Sequence, residues 1–368
     1  MTTEKRVRVL IIDDSAVVRS MVRKILLRDS HLEIVGAASN PYEAKDMILQ
    51  TKPDVLTLDI EMPRMDGLTF LKILMKEHPL PVIILSSLTQ EGSDVAFEAL
   101  RLGAVDVIAK PQGSGTLNDI APVIIEKIKG AAEVGINRIR HTYLRNVNKP
   151  QAGAAEKKPA TDGANAIAAS AGRLPVRNFT KDSIILIGAS TGGTEAIKAV
   201  LKKFPEKVPP IAVVQHIPPY FSKSFADRLN QICAMEVREA RDGDRLKPGI
   251  CLIAPGDFHM LLQKDGSGYF VRIQKGPKIW HQRPAVDMLF KSAVSCANKN
   301  VTATILTGMG KDGAEGMLEL KRSGAKTLAQ DEASSVVYGM PRAAKEIGAV
   351  DQVVSLNRMA ESLLNSLS

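Results

Sequence analysis

The sequence predicts an α/β protein of two doubly wound parallel-sheet domains, and three observations carry that reading. Short apolar runs alternate with amphipathic stretches from residue 7 to 130. The same alternation resumes at residue 183, and the segment between the two regions consists mostly of small and polar residues. Parallel strands are covered on both faces, so they read as short continuous apolar runs, each joined to the next by a crossover helix.

The first five runs are VRVLII (7–12), EIVGAA (33–38), DVLTL (54–58), PVIIL (81–85) and VDVIA (105–109). Helix-like segments follow them at 15–28, 41–50, 66–77, 92–102 and 116–130. The second carries its own start signal, with Asn40 at the N-cap, Pro41 at the first helical position and Glu43 three residues after the cap. Five such units predict a flavodoxin-like domain over residues 1–130. Residues 131–180 include QAGAAEKKPATDGANAIAASAGR, which lacks the large apolar side chains needed to offset ordering entropy. They are expected to form a flexible linker, with a helical start allowed over 131–146.

In residues 181–368 the apolar runs are SIILIG (183–188), IAVVQ (211–215), GICLIA (249–254), TATIL (302–306) and KTLAQ (326–330). HMLLQKDGSGYFVRI (259–273) reads as two extended runs around a glycine turn. Helices fit 194–204, 222–233, 285–297, 312–323 and 357–367. The expectation is a Rossmann-like parallel domain with an added β-hairpin.

Bulk properties narrow the function. No run of about eighteen apolar residues exists to span a bilayer, and MTTEKRVRVLIIDDS has no signal-peptide pattern. The expectation is a cytoplasmic protein that is not membrane-embedded. The three cysteines, Cys233, Cys251 and Cys296, have no CxxC spacing and read as reduced thiols. The net charge of +9 divides into −2 for 1–130, +5 for 131–180 and +6 for 181–368, with only 4% aromatic residues for base stacking. That spread argues against a nucleic-acid surface.

Strand ends carry the chemistry of the first domain. Asp13 and Asp14 end the first strand, Asp59 the third, Ser86 the fourth and Lys110 the fifth. Parallel strands bring these to one edge, where α/β folds bind ligands. Carboxylates so close repel one another unless a cation intervenes, and an all-oxygen set suits Mg²⁺. Asp59 is placed to act as a nucleophile toward phosphorus, with Lys110 as a compensating charge. Helix capping would account for one aspartate, such as Asp13, but not for the cluster.

Through IIDDS (11–15), LTLDIEMPRMDG (56–67), SS (86–87) and KPQ (110–112), residues 6–130 resemble the response-regulator receiver family. The resemblance implies that Asp59 is the phosphoacceptor, served by a sensor histidine kinase as phosphodonor. It implies that Asp14 and Asp59 hold Mg²⁺ with help from Asp13 and the main-chain carbonyl of Glu61. Ser86 would follow the phosphoryl group and Lys110 pair with it. Val107 departs from the aromatic switch residue common in that family three positions before the lysine, so a relay without an aromatic rotamer flip is expected.

In the second domain, GASTGG (188–193) joins a strand to a helix. It lacks the lysine of a Walker loop, and Ser190 stands where a dinucleotide fingerprint needs glycine. It fits GxSxG, in which glycines allow a sharp turn that lifts a nucleophilic serine above the sheet, the alternative being a tight packing turn. Of the six histidines, His216 directly follows IAVVQ and so lies on the same edge as Ser190. TGMGKDG (307–313) places Asp312 on that edge as a carboxylate to orient His216, the alternative being a cap for its own helix.

GASTGG, VVQHIP (213–218), APGDFHM (254–260), RPAVDMLF (283–290) and TGMGKDG, together with the receiver motifs, resemble the chemotaxis protein-glutamate methylesterase (CheB) family. The resemblance implies Ser190 as nucleophile, His216 as general base and acid, and Asp312 as the orienting carboxylate. Thr191 and the main chain around Met309 would line the site and help hold the oxyanion. The implied substrate is a glutamate γ-methyl ester on chemoreceptor cytoplasmic helices, hydrolysed to glutamate and methanol without a cofactor. Deamidation of receptor glutamines is implied for some members.

Overall fold

The computed structural model describes residues 5–87, 89–110, 117–136, 139–140, 143–144 and 173–367. Residues 145–172 of the expected linker, and Pro111 and Gln112 of the lysine motif, lie outside the described residues. Strands β1 (Val7–Ile12), β2 (Leu32–Ala38), β3 (Val55–Asp59), β4 (Val82–Ser86) and β5 (Asp106–Ala109) form one sheet in the order β2-β1-β3-β4-β5. All its pairs are parallel. Helices α1 (Ala16–Leu26), α2 (Pro41–Thr51), α3 (Gly67–Glu77), α4 (Gln90–Arg101) and α5 (Leu117–Ala132) connect or follow these strands. Asn40 caps α2 by accepting from the amides of Tyr42 and Glu43. Glu43 folds back to the amide of Ser39, one residue earlier than a standard capping box reaches.

The second sheet has seven parallel strands in the order β14-β13-β12-β6-β7-β9-β8. These are β6 (Ile184–Ala189), β7 (Ile211–Gln215), β8 (Glu236–Glu239), β9 (Ile250–Ile253), β12 (Val301–Ile305), β13 (Lys326–Gln330) and β14 (Gln352–Val354). Strands β10 (His259–Asp265) and β11 (Gly268–Gln274) form the expected antiparallel hairpin. The helices are α6 (Gly193–Leu201), α7 (Phe221–Ile232), α8 (Val286–Cys296), α9 (Ala314–Arg322), α10 (Met340–Glu346) and α11 (Leu356–Asn365). Sequence pattern missed β8, β14 and α10. The two strands are short edges with polar content, and a seven-residue helix is too brief to establish a period.

Alternation along β6 divides the packing. Ile184 and Leu186 enter a core shared with the hairpin and α8. Ile185 and Ile187 face the opposite layer, whose apolar core continues through Phe221, Phe225 and Phe97 into the first domain. Phe97 on α4 stacks against Phe225 on α7, ring centroids 5.9 Å apart, and Arg228 lies over its ring at 5.2 Å. The first domain is thereby seated on the second.

Candidate functional site

In the first sheet, Asp13, Asp14 and Asp59 offer carboxylate oxygens within 4.8 Å of one another. Lys110 Nζ lies 2.7 Å from Asp59 Oδ2 and 3.7 Å from Asp13 Oδ2. Asp13 Oδ2 is buried without a hydrogen-bond partner. One lysine thus faces three acids, and burial followed by the charge of Asp59 pushes the Asp13 carboxyl up to about 6. The donor set is all oxygen, carries excess negative charge and contains an unsatisfied buried acceptor, which fits a hard divalent cation. The Glu61 amide donates to Asp59 Oδ1. The Ser86 hydroxyl donates to the Gly92 carbonyl at 3.1 Å, away from the cluster.

The second site lies at the C-terminal ends of three adjacent strands, β12, β6 and β7, beside the point where chain order reverses. Ala189 pairs with Gln215 in register, so Ser190 and His216 leave the sheet side by side, and the His216 amide donates to the Ala189 carbonyl. Gly188 is required because α8 packs directly on β6, where a Cβ would collide with Val286. Gly192 adopts φ 76° to turn the chain into α6.

Asp312 Oδ2 lies 2.7 Å from His216 Nε2, and both side chains are 2% exposed. Asp312 does not cap its own helix. It accepts from the amides of Val286 and Asp287, the free first turn of α8, at 2.7 and 2.9 Å. A helix N-terminus therefore stabilises the carboxylate that holds the imidazole. Asp287 accepts from Gly316 N and Trp280 Nε1 and braces this turn. With Nε2 taken by Asp312, His216 Nδ1 is buried with no partner and is the nitrogen left for a proton from Ser190. The ring is used the opposite way round from the best-known triads, in which the carboxylate takes Nδ1.

The first domain covers this site. The Thr191 hydroxyl donates to Asp106 Oδ2 on β5 at 2.6 Å. Met309 packs on α5, where a Cβ at Gly130 would stand 3.1 Å from its sulfur. Glu126 on α5 reaches the Gly310 backbone. Sequence reading missed Glu126, Asp106, Gln282 and the α8 amides. A glutamate on an amphipathic helix looks like any solvated face, and a main-chain donor leaves no letter in the sequence.

A phosphoacceptor-type carboxylate cluster and a serine–histidine–carboxylate set, on two packed parallel sheets, define a hydrolase joined to a receiver. Sequence-family comparison matches residues 9–121 to the response regulator receiver domain and residues 185–363 to CheB methylesterase. A protein-glutamate methylesterase/protein-glutamine glutaminase of Syntrophus aciditrophicus is 47% identical over 98% of this chain and 98% of its own. One from Xanthomonas euvesicatoria is 47% identical over 99% and 98%. The solved catalytic domain of Thermotoga maritima CheB methylesterase is 41% identical, covering 50% of this chain and 97% of its own, with a TM-score of 0.49. The chain belongs to the CheB family of protein-glutamate methylesterases.

Proposed function

We propose that this chain hydrolyses glutamate γ-methyl esters on chemoreceptor cytoplasmic helices, with residues 181–368 as the catalytic domain, residues 1–130 as the receiver that regulates it and 131–180 as the linker. Ser190 Oγ attacks the γ-carbonyl carbon while His216 Nδ1 takes its proton. Asp312 holds the ring in place and stabilises the imidazolium. The tetrahedral intermediate collapses, and methanol leaves with the proton from His216. Water, deprotonated by the same nitrogen, then attacks the glutamyl-serine ester and releases glutamate and Ser190. Amides near Thr191 and Met309 would hold the oxyanion, where one donor is typically worth about 2.7–4 kcal/mol. The same steps with ammonia as leaving group deamidate glutamine.

The observation that carries this reading is the buried pair of His216 and Asp312 at 2.7 Å, one residue past the strand that runs beside Ser190. Asp59 accepts the phosphoryl group, with a sensor histidine kinase as donor. Asp13, Asp14, Asp59 and the Glu61 carbonyl would hold Mg²⁺, which supplies charge neutralisation at the phosphoryl oxygens. Lys110 and Ser86 follow the phosphoryl group, and loosening of the receiver from the catalytic edge raises activity. The reading places the enzyme in the cytoplasm, and among the described residues no helix is long and apolar enough to cross a membrane. The test is methanol release from methylated receptor membranes, with and without a small-molecule phosphodonor and Mg²⁺. Ser190→Ala, checked for native circular dichroism, should lose about 10⁴-fold or more. Near-normal release by that variant overturns the assignment.

A further inference from the structure

Glu126 sits oddly for an interface residue. It projects from α5 of the receiver, is partly buried, and among the described residues forms no ion pair with a lysine or arginine. Its neighbour Lys127 is committed to Asp106 at 2.6 Å. The carboxylate lies against Gly310, in the space that a side chain there would fill, and Gly310 is held at φ 80°. Gln282 offers its side-chain amide, and the imidazoles of His216 and His281 lie on the catalytic side of the carboxylate. Burial works against these groups and holds the Glu126 carboxyl above its ordinary range. The result is a glutamate side chain, presented by a helix, resting on the loop that carries Asp312.

We propose that Gln282 and the Gly310 backbone form the subsite for the end of the substrate's glutamyl side chain, and that Glu126 fills it in the closed chain as a built-in product mimic. The inference rests on the methylesterase reading above, in which the product is itself a glutamate on a helix. A neutral amide suits the task. It can donate to an ester carbonyl, an amide carbonyl or a carboxylate without adding a full charge, whereas a lysine would favour the charged product over the neutral substrate far more strongly. Gln282 is thus a specificity residue, and the receiver blocks the site by chemical imitation as well as by bulk.

Full-length variants separate the two readings by two readouts. The first is the rate at which a serine-directed phosphonate labels Ser190 in the unphosphorylated chain, which needs no receptor. Glu126→Ala should label about five-fold faster or more, the low end of an ordinary coupling between sites. Glu126→Gln, which keeps the shape and an acceptor oxygen, should stay close to the parent. Equal rates for Glu126→Ala and the parent overturn the proposal, and so does Glu126→Gln behaving like Glu126→Ala, since the contact is then only ionic. The second readout is methanol release by phosphorylated Gln282→Ala, which should show a raised KM for methylated receptor with kcat much less affected. An unchanged KM removes the subsite. Failure of the methylesterase reading looks different, because the phosphorylated parent then releases no methanol while its Ser190 still reacts with phosphonate.

Discussion

The Thr191 hydroxyl donates to Asp106 Oδ2 across 2.6 Å, so the residue after Ser190 is tied to the strand that leads to Lys110. Asp106 also accepts from Lys127 Nζ at 2.6 Å and from the Val107 amide at 2.7 Å. Lys110 in turn lies 2.7 Å from Asp59 Oδ2. The two candidate sites are therefore joined through four residues of β5 and its end. The path includes Val107, a side chain with no aromatic ring to rotate.

Thr191→Val tests that link. Valine keeps the shape and removes the donor, while Asp106 keeps its lysine. A hydrogen bond to a charged group is worth about 1.5–3 kcal/mol, so the closed arrangement should weaken roughly tenfold or more. Unphosphorylated methanol release should rise accordingly, and stimulation by phosphodonor should shrink. If the stimulation ratio is unchanged, the bond does not participate in the switch.

Asp312→Asn keeps the side chain's shape but only one acceptor for the amides of Val286 and Asp287, which bond to different carboxylate oxygens, so the fold should survive with some loss of stability. It removes the charge that stabilises the imidazolium and permits the wrong ring tautomer. A loss in kcat of about 10⁴-fold is expected, as in other triads. The comparison to make is kcat against KM under phosphodonor, with kcat carrying the loss. A modest loss would assign Asp312 to bracing α8 rather than to His216.

Gly188→Ala probes the turn itself. The added methyl meets Val286, whose amide holds Asp312. Overpacking of this kind costs about 1–3 kcal/mol, so the catalytic domain should unfold several degrees lower. Activity should fall further than the stability loss explains, because α8 must shift along with the carboxylate it anchors. Calorimetry and methanol release on the same preparation check both parts.

Much of this architecture was legible in the letters. Strand-end residues report an active edge because a parallel sheet sends every strand the same way, which placed Asp59, Lys110, Ser190 and His216 without coordinates. Asp312 was harder, since a loop carboxylate can cap its own helix or face a histidine, and only its contacts with His216 and the α8 amides show which way it turns. Thr191 was legible only in part: its position beside Ser190 shows in the letters, whereas the bond of its hydroxyl to Asp106 across the domains does not. Contacts such as Glu126 with Gln282 join residues more than a hundred positions apart on amphipathic or loop segments. No local period records them.

Asp13 makes the cation site sensitive to pH. Burial first, and then the charge of Asp59, raise its carboxyl from 3.8 to about 6, with Lys110 opposing. Between those values the folded chain binds more protons than the unfolded one, so stability falls as pH rises through the window. At about 1.36 kcal/mol per pH unit the fall amounts to about 3 kcal/mol at most. A divalent cation competes with that proton. Mg²⁺ affinity should therefore climb as pH passes from about 5 to about 6 and level off above, as the carboxylate becomes fully available. The accompanying gain in melting temperature with Mg²⁺ should be small at about pH 5 and large at about pH 7. Asp13→Asn should leave weaker binding through Asp14 and Asp59 and reduce the pH dependence to the part due to Asp59, whose carboxyl burial also raises. Calorimetric Mg²⁺ titration across that range decides the matter, because an affinity that is flat with pH would mean that Asp13 is already ionised when the cation arrives.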